Sequence, residues 1–562
     1  MRRMIASLVL TGLTAAGAAT AQTPPAGRLP PRDTPPAAAI GSAKIQGQVI
    51  AADSKRPLRR AQLTLSAPSL GNTGRTTSTD DEGRYEFTDL PAGRYGLAVS
   101  RSGYLTLRYG QRRPFEQGKQ IDVADRQALD RIDFALPRMS LISGRLTDEL
   151  GDPIAAVRMY ALRLAYFDGR RRFVPMGPAT NTDEGGEYRI GGLVPSTYIV
   201  VAQTREKWTV TTGDRQEVMG YAPTYFPGTT NLPEARRVTV GLGEEAGAVD
   251  FSLIPGRAAK VSGTALTSRG EPLSTVALVQ ATVGPNGGTT GIAGGATAAA
   301  DGSFTIADVP PGEYTLQASG SQETAMMPMI VDGIDIANVS LMGSAGWGIR
   351  GTITTESGEP PDLPRGQVRL IATPLAARSF MGTPGMATQR ETVNADWSFE
   401  VTGVIGAARF GVALPAGWAM KAMLDDGHDL ADQPIERRSG DTLSNLRIVL
   451  TNRVAKLEGE VIGERGVPIA DGTVIVFPAD STKSYESSRF VRAVRPDEKG
   501  RYQINGLMAG DYFAIALDYV EQGMWNDAEY LDPLRTRAVK VRVSEGETQT
   551  LPLPLVAFEA GR

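Results

Sequence analysis

The chain contains no cysteine and a single histidine, His428. Those scarcities remove most of the common catalytic apparatus. Cysteine nucleophiles, Ser-His-acid triads at more than one place, and zinc centres built from His and Cys all need residues that the chain does not have. His428 stands in Asp425-Asp426-Gly427-His428-Asp429, a polar loop by composition, so a solvated turn histidine is expected there. An excess of either charge is missing too. Lys and Arg number 59 against 62 Asp and Glu, a formal net charge of −3. The summed field therefore gives no reason to expect a polyanion, and nucleic acid is not an expected partner. No G-x-S-x-G elbow, Walker loop or H-E-x-x-H occurs, and no cofactor is expected.

Glycine and proline, by contrast, are abundant at 64 and 37, which suits many short strands and turns. The chain opens with the basic Met1-Arg2-Arg3-Met4, a short apolar run from Ile5 to Leu13, and Ala19-Thr20-Ala21. This is the pattern of a secretory signal peptide over 1–21, cleaved between Ala21 and Gln22 with Ala19 and Ala21 as the small residues read at the cut. The run is too short to span a bilayer, which takes about 20 apolar residues, and no later segment is apolar enough. The expected location is periplasmic or extracellular. Residues 22–43, with Pro24-Pro25, Pro30-Pro31 and Pro35-Pro36, read as an extended linker.

A phrase then repeats. Thr79-Asp80-Asp81-Glu82-Gly83-Arg84-Tyr85-Glu86-Phe87 is an acidic Gly corner followed by alternating aromatic residues, and a Pro-x-Gly corner reverses the chain into Tyr95. It returns at Thr182 to Tyr198, Asp301 to Tyr314, Ala395 to Phe410 and Asp497 to Tyr512. Each copy is preceded by an apolar-x-Gly-x-apolar strand, at Ile45 to Val49, Ile142 to Leu146, Val261 to Ala265, Ile349 to Ile353 and Leu457 to Val461. A glycine in mid-strand marks close approach of another group, and an aromatic ring is expected to cover it. The tyrosines after the second corner are expected to bury their rings and bond their hydroxyls back to the corner. The fourth copy departs most, with Trp397 at the turn glycine's position and Gly406-Ala407-Ala408-Arg409-Phe410 at the second corner. The fold class is therefore all-β: a tandem array of five Ig-like antiparallel β-sandwiches, at 44–137, 138–255, 256–342, 343–450 and 451–562.

These opening, central and closing phrases resemble the carboxypeptidase regulatory-like domain, a transthyretin-like sandwich related to starch-binding-like and collagen-adhesin B-type modules. The resemblance implies a non-catalytic module and a secreted bacterial array, and it carries no peptidase activity, because no peptidase domain accompanies the repeats.

Candidate chemistry is sparse. Gly346-Trp347-Gly348-Ile349-Arg350-Gly351 matches G-x-G-x-x-G but begins a strand, where a nucleotide fingerprint must open a helix. The acidic corners could offer oxygen to calcium, yet they lack EF-hand spacing and need no metal to turn. Lys260 and Asn338 in the third repeat are placed for the isopeptide bond of the adhesin modules that the fold resembles. The strongest pointers are aromatic loops inserted between late strands: Tyr104 to Pro114 with Tyr109, Arg112 and Arg113; Gly220 to Gly228 with Tyr221, Tyr225 and Phe226; and Met524 to Tyr530 with Trp525 and Tyr530. Rings flanked by Gly, Pro, Asn and Asp form a sugar platform when exposed, with Trp397 as a further exposed ring. The same rings could instead fold over an open sandwich edge. The expectation is a non-enzymatic protein binding extracellular polysaccharide through these residues. The alternative is a scaffold or protein-interaction component of the cell envelope with no sugar ligand, and a hydrolase ranks last. Exposure of the rings separates the first two.

Overall fold

The computed structural model describes residues 41–557 except 68–69, 71–73, 114, 168–169, 285–286, 376–388 and 487. The expected leader, with Ala19, Ala21 and Gln22, and the linker up to residue 40 lie outside the described residues. Among the described residues, no helix is long and apolar enough to cross a membrane.

The repeats build paired sheets, which in the fifth are joined into one eight-stranded sheet because Leu553–Val556 pairs with both Ala455–Ile462 and Gly510–Leu517. In the first, Ala43–Ala51 pairs antiparallel with Arg84–Leu90 and parallel with Ala128–Leu129 and Phe134–Leu136. The facing sheet runs Arg75–Ser78, Gln62–Ser66, Gly93–Arg101, Tyr104–Arg108, with Gln120–Val123 also on Gly93–Arg101. Arg84–Leu90 alternates exposed and buried residues, which puts Tyr85, Phe87 and Leu90 between the sheets. The opening pair recurs as Ser140–Thr147 with Glu187–Leu193, Ala259–Leu266 with Ser303–Val309, Trp347–Thr355 with Ser398–Val404, and Ala455–Ile462 with Arg501–Leu507. A separate apolar core accompanies each pair. From that recurrence we propose that each repeat is one module, numbered 1 to 5 in chain order. The architecture is the all-β sandwich expected, with one difference: the closing strand lies parallel to the opening one. In modules 1, 2, 3 and 5 it returns from the facing sheet by a crossover rather than a hairpin, and only a hairpin forces antiparallel pairing. In module 4 the preceding strand, Ala419–Asp425, already lies in the same sheet and pairs antiparallel with the closing strand Thr442–Thr451.

The mid-strand glycine explains how that crossover closes. A Cβ on Gly47 would lie 2.1 Å from the Ile132 carbonyl oxygen, and the equivalent atoms on Gly144, Gly263, Gly351 and Gly459 would lie 1.9–2.1 Å from the carbonyls of Val249, Val339, Leu446 and Leu551. The group over the glycine is thus a backbone carbonyl, where a ring was expected, because a carbonyl on the crossing strand approaches closer than a ring can. The ring has a supporting part. Tyr85, Tyr188 and Tyr502 pair across the strand from Gly47, Gly144 and Gly459. Their hydroxyls donate to the same carbonyls at 2.5, 2.5 and 2.6 Å. Modules 3 and 4 have Phe304 and Phe399 at that position and so lack the hydroxyl. There the residue before the carbonyl is Asn338 or Asn445, at φ 60° and 65°, where modules 1 and 2 use Arg131 and Ala248 at 62° and 58°. Asparagine tolerates the left-handed region better than either.

The tyrosine corners form as expected. Tyr95, Tyr198, Tyr314 and Tyr512 donate to the carbonyls four residues earlier, those of Pro91, Val194, Pro310 and Met508. Module 4 has Phe410 there, and the carbonyl four residues earlier, on Gly406, accepts instead from the Trp347 indole at 2.8 Å. The two rings stack edge to face at 5.6 Å. At the position of Trp347 the other opening strands carry Ala43, Ser140, Ala259 and Ala455. A small residue beside Tyr and a Trp beside Phe are two ways to fill the same space and satisfy the same acceptor.

At the first corner Gly83, Gly186, Gly302 and Gly500 have φ of 73–79°, and Trp397 has 63° in the same place. Asp183 Oδ1 accepts from the Gly185 and Glu187 amides, each at 2.9 Å, and Asp497 accepts from Lys499 and Arg501 in the same way. The acidic corners are therefore hydrogen-bonded turns. No group of His, Cys, Asp and Glu among the described residues could hold a metal. Lys260 and Asn338 are both exposed, and His428 is exposed in a hairpin strand.

Trp347→Ala should destabilise module 4 by about 3–5 kcal/mol, as large aromatic truncations do. Adding Phe410→Tyr should return about 1 kcal/mol, because the new hydroxyl reaches the abandoned Gly406 carbonyl. Urea unfolding of the two variants checks this, and no recovery on adding the tyrosine would refute the exchange.

Candidate functional site

The three aromatic loops do not share a face, and most of their rings are engaged within the protein. In the second loop, Tyr221 is 7% exposed and Phe226 8%. Tyr221 lies against Trp208 at 4.8 Å and donates to Glu149 at 2.8 Å. Burial and that carboxylate push its hydroxyl pKa upward. Phe226 packs edge to face on Phe251 at 6.0 Å inside the core of module 2. Tyr225 is half-buried and pairs with Val201 at the sheet edge, next to the Leu162, Ile199 and Val201 cluster. This loop covers a sandwich edge, the alternative weighed for it. Trp397 is half-buried against the module 4 core, contrary to its expected exposure.

The first and third loops meet at a junction of modules 1, 2 and 5. Arg495 of module 5 enters the first loop with its side chain 1% exposed. Its Nη2 contacts Glu116 Oε1 and Asp471 Oδ1, each at 3.2 Å. Its Nη1 donates to the carbonyls of Gly110 at 2.7 Å and Gln117 at 3.1 Å, and Nε donates to Gly472. Glu116, equally buried, also accepts from the Arg112 and Arg113 amides at 2.8 and 3.2 Å. A buried guanidinium is tolerable only when its donors and its charge are both answered, and here they are. Burial still draws the Arg495 pKa down against the pull of Glu116 and Asp471.

Around this cation, Lys119 Nζ donates to the Ala470 carbonyl, Arg112 reaches Asp471 at 3.3 Å, and the Gln522 amide donates to the Phe115 carbonyl at 2.9 Å. Tyr109 donates to Glu498 at 3.2 Å, and burial together with that carboxylate pushes its pKa up to about 12. Module 2 joins through Arg163, whose guanidinium grips Glu521 of module 5 by a two-pronged contact at 2.7 and 2.6 Å. The same guanidinium lies 3.5 Å from the centre of the Phe115 ring. Beside it Tyr530 leans on Tyr166 with ring centres 6.4 Å apart, and its buried hydroxyl has no hydrogen-bond partner among the described residues. Trp525 is half-buried against the same small cluster, on a short helical segment that ends in the four-residue helix Ala528–Leu531.

Tyr109, Arg112, Trp525 and Tyr530 are therefore brought close to one junction, with Tyr221, Tyr225, Phe226 and Trp397 elsewhere. The residues that organise the junction, Glu116, Arg163, Asp471, Arg495 and Glu521, carry no sequence signal. Each is one ordinary charge among many, and only the length of the first insertion marked the place.

Comparison with known proteins gives a coarse placement. Residues 44–137 match the family model of the Carboxypeptidase regulatory-like domain. No curated protein matches the chain. Among solved structures, the Bacillus anthracis TIE protein aligns at 10% identity over 74% of each chain with a TM-score of 0.14. The minor pilin GBS52 of Streptococcus agalactiae aligns at 14% over 38% of this chain and 97% of its own, TM-score 0.20. The shaft pilin spaA of Lactobacillus rhamnosus GG aligns at 12% over 39% and 98%, TM-score 0.18.

Arg495→Ala should leave Glu116 as an unpaired buried carboxylate and cost the contact between modules 1 and 5 about 3–5 kcal/mol. Adding Glu116→Gln should recover part of that loss by removing the stranded charge. Amide exchange across 110–119 is the measurement, and protection unchanged in the single variant would disprove the junction's dependence on Arg495.

Proposed function

We propose, taking as premise that residues 44–137 form a carboxypeptidase regulatory-like domain, that the chain is a non-catalytic, exported scaffold of the cell envelope. In this reading the inserted loops lock its own modules together. The observation that carries it is the buried Arg495, whose partners come from both modules 1 and 5. Loops kept free to grip a polymer would not spend their polar groups on neighbouring modules. Export is supported by the leader-like pattern over 1–21.

The second reading keeps polysaccharide as the ligand. It is favoured by the half-exposure of Tyr225, Trp397 and Trp525, which leaves part of each ring for stacking. These rings stand on different modules, so avidity would need a polymer able to reach round the assembly.

Small-angle scattering of the chain from Gln22 should give the dimensions of the closed arrangement, and Arg495→Ala combined with Arg163→Ala should increase the radius of gyration. Equal dimensions in the two proteins would count against a locked scaffold. Saturable tryptophan quenching by neutral polysaccharides, lost in Trp397→Ala or Trp525→Ala, would instead establish the second reading.

A further inference from the structure

A second meeting of modules leaves a cleft. Modules 4 and 5 are tied by Asp432, which accepts from the Tyr485 hydroxyl at 2.9 Å and from Arg489 Nε and Nη2 at 2.8 and 2.9 Å. Lys421 adds a contact to Glu545 at 2.5 Å, and the Arg409 guanidinium lies over the Tyr485 ring at 4.4 Å. Next to these ties opens a space of about 500 Å³, within the ~300–1,000 Å³ of small-molecule sites. Its walls are mixed. Trp418, Phe410 and Met508 supply apolar surface, Asn505 and Arg492 supply donors, and Glu486 supplies one carboxylate.

Arg492 is the distinctive member. It stands on the short strand Arg492–Val494, half-buried. The guanidinium's hydrogen bond among the described residues is from Nη1 to the Val491 carbonyl at 2.9 Å, and no carboxylate there pairs with it. Its neighbour Arg489 is answered by Asp432, and the buried Arg495 by Glu116 and Asp471. Burial pulls the Arg492 pKa below that of a free guanidinium with no acid to restore it, though arginine stays charged at neutral pH. A half-buried cation without an acid has a desolvation cost that an incoming anion would relieve.

We propose that the cleft between modules 4 and 5 binds a carboxylate-bearing sugar, the carboxylate on Arg492 and the ring against Trp418. A planar guanidinium takes a carboxylate through two parallel hydrogen bonds. An indole offers the flat apolar face that a pyranose ring stacks on, and the exposed amide of Asn505 can bond hydroxyls. The site is distinct from the aromatic loops, so it stands whether or not those loops lock the modules.

Calorimetric titration of the chain from Gln22 with trigalacturonate, against uncharged galactotriose, tests it. Trigalacturonate should bind saturably and galactotriose at least about tenfold more weakly, the worth of one charge-assisted contact. Arg492→Gln should weaken trigalacturonate by a similar factor, Arg492→Lys should retain more of the affinity, and Trp418→Ala should weaken both sugars. Circular dichroism confirms that each variant is folded. No heat with trigalacturonate, equal binding of the two sugars, or undiminished affinity in folded Arg492→Gln would overturn the proposal. So would acetate competing as tightly as trigalacturonate, since that would make the site a simple anion hole. None of these outcomes depends on the radius of gyration, so this site and the locked scaffold can fail separately.

Discussion

Every module depends on one close approach: a carbonyl of the closing strand set against a glycine in the middle of the opening strand. The approach is too tight for any Cβ, as the 1.9–2.1 Å separations on building one make clear. Because the closing strand lies parallel to the opening one, no hairpin turn fixes their register. The bare glycine supplies the seat, and a tyrosine hydroxyl or a left-handed asparagine aims the carbonyl into it. Phe304 and Phe399 occur where asparagine precedes the carbonyl, Asn338 and Asn445. The two aids therefore alternate among four of the modules. Module 5 relies on Tyr502, with Pro552 directly following the carbonyl residue Leu551.

The same economy governs the second corner. Its acceptor carbonyl is always satisfied, by a tyrosine in four modules and by Trp347 in the other. The alternative donor comes from a different strand altogether, so the constraint is on the acceptor and the space around it rather than on a residue type. This is the behaviour expected where an unsatisfied buried carbonyl costs more than a change of packing partner.

Modules built this way still have to be arranged, and the arrangement rests on buried charge. Arg495, Arg163 and Arg489 each cross a module boundary, and each is answered by a carboxylate and by carbonyls or a hydroxyl. Buried ion pairs contribute little net stability against apolar packing, but a wrong partner strands a charge at high cost. They suit a role in choosing one docking geometry among many similar sandwich faces. Arg492 is the exception to that pattern, and it opens on a cleft.

Much of the fold was legible in the amino-acid order because its causes are local. Alternation placed Tyr85 and Phe87 inside, Asp-Gly chemistry placed the first corner, and the spacing from Pro91 to Tyr95 placed the second. Even the exchange of Trp397 for the turn glycine stood out against the repeat. The glycine seat was marked but its occupant was misjudged, since the crossing strand is more than eighty residues away in module 1. The loop aromatics were correctly singled out as unusual and their surroundings were not, because Tyr109 meets Glu498 and Arg112 meets Asp471 across 389 and 359 residues. Sequence by itself determined the module, its turns and its core face, through short-range periodicity and backbone geometry. Only the tertiary structure decided which charges meet, because Coulomb attraction between distant groups leaves no pattern in the order of residues along the chain.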